Sequence, residues 1–72
     1  MIPLNQTGLV MEGPLKGWFV RVSHMELPKG FLVARARNEE MDQTLILDGI
    51  FPERAKMEAF FEAQAPVVEW KD

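Results

Sequence analysis

The chain has no cysteine, a single histidine (His24) and a single serine (Ser23). Each shortage removes a class of chemistry. Without cysteine there is no disulfide framework, no thiolate nucleophile and no Cys-ligated zinc. Zinc sites take three or four protein ligands, and His24 with nearby Glu26 supplies two. Ser23 and His24 are chain neighbours, and neighbours on an extended strand point to opposite faces, so their adjacency implies no Ser–His hydrogen bond. The glycines are scattered and match neither a phosphate-binding loop nor a dinucleotide fingerprint. No apolar run approaches the roughly 20 residues of a membrane span. The start, Met1-Ile2-Pro3-Leu4-Asn5-Gln6, lacks the basic stretch and long apolar run of a secretion signal. These shortages lead to the expectation of a non-enzymatic protein with no cofactor and no metal, placed in the cytoplasm.

Charge narrows the partners. Eight Lys and Arg stand against 11 Asp and Glu, a net charge of −3. A general nucleic-acid binder is normally basic, and an anionic membrane surface repels an acidic protein. What the chain does have is apolar material: 47% of its residues are hydrophobic, with five Phe and two Trp to seed a core. Its 72 residues make one domain, 1–72. A domain this short buries only about 60% of its unfolded surface and holds a margin of about 3–5 kcal/mol. With disulfides and Cys-ligated zinc excluded, tight packing or self-association must supply the support, and a homodimer is the expectation.

Turn residues divide the chain evenly. Gly8, Gly13-Pro14, Gly17, Pro28-Lys29-Gly30, Asp48-Gly49, Pro52 and Pro66 separate short segments with their own patterns. Leu9-Val10-Met11 is a short candidate strand. Trp18 to Ser23 and Phe31 to Arg37 are aromatic and β-branched with alternation, and Pro28 with Gly30 supplies the turn between them. Gln43 to Asp48 is a further strand after the polar loop Asn38 to Asp42. Pro52 suits the first position of a helix, with Glu53 in its first turn. Met57, Phe60 and Phe61 recur at helical spacing as a buried stripe, opposite a solvated face of Arg54, Glu58 and Glu62. Pro66 stops the helix, and Val67 to Trp70 forms a last strand. The predicted fold is α+β: a small antiparallel sheet of three to five strands, elements β-β-β-β-α-β, with one helix from the C-terminal half packed on one face.

Alternation then assigns faces. Trp18, Val20, Val22, Leu32, Ala34, Ala36, Leu45, Leu47, Val68 and Trp70 are expected under the helix. The opposite face would carry Phe19, Arg21, Ser23, Phe31, Val33, Arg35, Arg37, Thr44, Ile46, Asp48, Val67 and Glu69, and its mixture of Phe anchors and arginine is typical of contact patches. Leu4, Leu9, Met11, Leu15 or Ile50 are the segments able to fold over it.

The leading functional expectation is a non-catalytic protein-interaction module: a small inhibitor, immunity-type or accessory protein. It would bind another protein, or itself, through this face or through the acidic loop of Glu39, Glu40 and Asp42. The alternatives are a single-stranded nucleic-acid binder using the Arg and Phe face, and a small homodimeric subunit shaping a ligand pocket. The run from Asp48 to Trp70 resembles the closing segment of small bacterial proteins in general and points to no family.

Overall fold

The computed structural model describes residues 1–71. Strands β1 (Thr7–Glu12), β2 (Phe19–Glu26), β3 (Lys29–Ala36) and β4 (Ile46–Phe51) precede helix α1 (Arg54–Gln64), and β5 (Val67–Trp70) follows it. The strands form one sheet in the order β4-β3-β2-β1-β5, with every neighbouring pair antiparallel. This is the α+β fold and element order expected from sequence. Because β4 and β5 lie at opposite edges, α1 crosses the whole sheet to join them.

Residues directly paired across antiparallel strands share a face. Val22 pairs with Val33 and Val20 with Arg35. Val20, Val22 and Val33 are fully buried with Val10 against Met57 and Phe61 of α1, and Leu15 and Ala65 complete the cluster. The helix side of the sheet therefore carries Val20, Val22, Phe31, Val33, Arg35, Val68 and Trp70. Phe19, Arg21, Ser23, Leu32 and Ala34 point the other way.

The sequence assignment holds for β2 and β5 and fails for β3 and β4. In β3 the helix side holds Phe31, Val33 and Arg35, not Leu32, Ala34 and Ala36. Phe31-Leu32-Val33-Ala34 is apolar at every position, so alternation is silent there. The Ala/Arg alternation that follows misleads, because the Arg side chains find partners on the helix side. The register is set by pairing with β2, from Glu26↔Lys29 at the turn to Phe19↔Ala36. In β4 the strand begins at Ile46, three residues later than expected, and Leu47 is 61% exposed on the outer side. Gly49 pairs with Val33 but Leu47 pairs with Ala34, so Asp48 is the extra residue of a β-bulge.

Other segments are also redirected. Leu15 joins the helix-side core, its N–H donating to the Gln64 carbonyl at 3.0 Å. Leu4 packs against the same cluster, and Ile50 lies within β4, so these residues do not fold over the outer face. Pro52 lies outside α1, which is N-capped by the extended Glu53 backbone without a side-chain hydrogen bond. Phe61 and Met57 are the buried helix residues, while Phe60 is half-buried and packs its ring 5.4 Å from that of Phe51. Arg54 is no solvated residue: it is half-buried, its Nη1 donates to the Ile2 carbonyl at 3.1 Å, and its guanidinium lies 5.2 Å from the Phe31 ring.

Candidate functional site

The residues singled out in the sequence do not form one surface. Phe19 and Arg21 lie on the outer face, while Phe31 and Arg35 lie on the helix side. Arg37 stacks there too, its guanidinium 3.6 Å from the centroid of the Trp18 ring, with that of Arg35 at 4.7 Å. Such cation–aromatic stacking contributes about 0.5–2 kcal/mol. It also covers the Trp18 ring and occupies both cations.

Asp48 completes this corner. The bulge turns its carboxylate inward, with Oδ1 3.5 Å from Arg35 Nη1. The side chain is only 10% exposed, and Asp48 Oδ2 and Arg35 Nε are buried without a hydrogen-bond partner. Burial pushes the Asp48 carboxyl above the usual range, and the Arg35 charge opposes this without overcoming it. A raised folded-state pKa means that the native state favours the protonated form. Asp48 therefore contributes stability that is full below its unfolded pKa of about 3.9 and is lost as pH rises through the folded value. Asp48→Asn keeps an acceptor for Arg35 and removes the titration. Urea midpoints should show the variant at least as stable as the parent at neutral pH. Its stability should lack the parent's gain on acidification towards pH about 4. A variant clearly less stable at neutral pH would mean that the Arg35 pair outweighs desolvation.

The acidic loop is tied up internally. The Asn38 side-chain amide donates to Glu40 Oε1 at 3.0 Å and Asp42 Oδ1 at 2.6 Å, and its oxygen accepts from the Asp42 and Gln43 N–H groups. Two of the three predicted acids thus brace their own loop. Glu39 lines a depression of about 290 Å³ with Thr7, Arg21, Asn5 and Lys71, which brings the loop beside the β1–β2 half of the outer face. The β3–β4 half stays open. Leu47 is 61% and Ile50 41% exposed there, next to Leu32 and Ala34, with Leu45 at the strand entrance 53% exposed.

A second feature was not anticipated. Between α1 and the edge strand β5 runs a groove of about 540 Å³. Phe61, Ala65, Val68 and Trp70 give it apolar walls, Glu58 and Glu62 an acidic flank, and Met1, Ile2 and Pro66 complete the lining. No family model, curated protein or solved structure matches this chain. Among the described residues there is also no group of three or more His, Asp or Glu side chains placed to hold a metal ion, and no helix long and apolar enough to cross a membrane. The sequence held a faint sign of the groove. Glu58 and Glu62 stand one turn apart beside Phe61, and Val68 and Trp70 alternate, but the two sets meet only once β5 is known to pair with β1.

Proposed function

We propose that the protein is a non-catalytic interaction module that binds itself, and that its contact surface is the β3–β4 half of the outer sheet face. The observation that supports this is the exposure of Leu47 and Ile50 beside Leu32 and Ala34, an apolar strip at the sheet edge. Of the seven large apolar side chains that stand exposed among the described residues, four (Leu27, Leu45, Leu47 and Ile50) belong to β4 or the segments flanking β3 and β4, so more than half of the excess is concentrated there. The occupant is a second copy of the chain. The strip residues carry no charge of either sign, so the surface is complementary to itself under a two-fold axis. A 72-residue domain without cysteine also gains needed burial by pairing. The nucleic-acid alternative lacks this support, because Phe19 and Arg21 face away from Phe31, Arg35 and Arg37.

Sedimentation equilibrium tests the proposal. The parent should show twice its 8.3 kDa chain mass. The double variant Leu47→Asp, Ile50→Asp should sediment as a folded monomer, since both side chains are exposed and their replacement empties no core. A parent that is monomeric at every attainable concentration would overturn self-association through this face.

A further inference from the structure

We propose that the groove between α1 and β5 is a peptide site that takes an extended segment of another protein, with alternating lysine or arginine, by strand addition to β5. This goes beyond the self-contact on the outer face, because the groove lies on the helix side of the sheet.

The backbone of β5 is oriented for it. Among the described residues β5 has a strand neighbour on one side only. Leu9 pairs with Glu69, and the Lys71 N–H donates to the Thr7 carbonyl at 2.8 Å, so Glu69 and Lys71 direct their peptide groups towards β1. By the alternation of an antiparallel ladder, Val68 and Trp70 direct theirs outward, to the free edge. The side chains of these two residues wall the groove. A strand laid antiparallel beside β5 therefore bonds through residues whose own side chains enter the groove, the arrangement by which sheet-edge receptors combine backbone affinity with side-chain selection.

The groove states which side chains it selects. Its volume of about 540 Å³ accepts several side chains, and its walls are Phe61, Ala65, Val68 and Trp70. Glu58 and Glu62 flank these walls from α1. A lysine or arginine satisfies both parts, laying its methylene stem along the half-buried Trp70 and Val68 and bringing its charged head to the carboxylates. An acidic or purely apolar segment satisfies one part at most. Arg54 pairs with Glu58 at 3.7 Å while its guanidinium also donates to the Ile2 carbonyl, so among the described residues Glu62 is the flank carboxylate without an ion-pair partner. The net charge of −3 favours the encounter with a basic segment.

The probe is a blocked octapeptide of alternating lysine and valine, titrated into the isotopically labelled full chain and followed by amide and indole NMR shifts. Saturable shifts are expected at Val68, Trp70 and the α1 residues around Glu62. Methylating the lysine amides should abolish binding, and methylating the valine amides should preserve it. A glutamate–valine peptide should not bind. Glu62→Gln, which breaks no ion pair among the described residues, should weaken the lysine–valine peptide by about ten-fold, one charge-assisted contact. Absence of shifts, equal binding of the acidic peptide, binding that survives lysine N-methylation, or shifts confined to Leu47 and Ile50 would each overturn the proposal. The last result alone would also bear on the outer-face contact, which the sedimentation experiment reads separately.

Discussion

Phe61→Ala should leave the domain largely unfolded at ambient temperature, and Phe60→Ala, one residue away, should not. Phe61 is 3% exposed and sits in the cluster of Val10, Val20, Val22, Val33 and Met57. Its ring lies 5.9 Å from Trp70, so it joins the helix to the β5 edge, while Phe60 is the residue that reaches Phe51 of β4. Truncating a buried phenylalanine costs about 3–5 kcal/mol, the transfer term plus the cavity left behind. That is the whole stability of a typical domain of this size, about 3–5 kcal/mol. Phe60 is half-buried, so part of its ring is already in water and the site can relax. Equilibrium urea unfolding and thermal melts of the two variants decide the matter. Equal losses would mean that α1 presents a different face to the sheet.

The helix itself was legible in the sequence; the ranking of its residues was not. Met57, Phe60 and Phe61 span a wide arc at helical spacing, and period alone does not say which edge of that arc points straight down. The crossing direction of α1 decides it, and that direction follows from the placing of β5 beside β1. The same non-local fact hid the groove. Glu58 and Glu62 looked like ordinary solvated residues because nothing in the helix shows that Trp70 comes to lie next to it. The strands were legible as strands because aromatic and β-branched residues cluster between turn residues. Their faces were legible only where one alternate set was polar, as in Arg21 and Ser23 of β2. In β3 both sets are apolar until Arg35, and Arg35 faces inward because Trp18 and Asp48 receive it. In β4 the bulge at Asp48 breaks period two altogether. The arginines and phenylalanines that had seemed one contact patch were thus two half-sets on opposite faces. The outer face keeps its apolar excess for a different reason, the leucines and isoleucine of β3 and β4.

Gly8→Val should detach β5, and with it the groove, while leaving the β2–β3–β4 ladder in place. Gly8 is buried and pairs with both Val20 and Trp70 on the helix side. A Cβ at this position would stand 2.5 Å from Val68 Cγ1 and 2.7 Å from Trp70 Cε3. Val68 and Trp70 use the missing side chain as the space in which to lean across β1. They cannot both stay if it is filled, because Trp70 is packed against Phe61 on its far side. Overfilling a packed site costs about 1–3 kcal/mol, and a four-residue edge strand bound to one neighbour has little to offset it. The favourable β-propensity of valine, within a scale of about 1 kcal/mol, is too small to compensate. Hydrogen exchange gives the sharpest measurement. The Lys71 amide, which donates to Thr7, should lose protection, while the amides pairing β2 with β3 keep theirs. Gly8→Ala should fall between the parent and the valine variant, because one methyl group meets the same two side chains without the branches. Loss of peptide binding with the β2–β3 ladder intact would tie the groove to the glycine. A valine variant with parental protection at Lys71 would show that β5 does not depend on the close approach at Gly8.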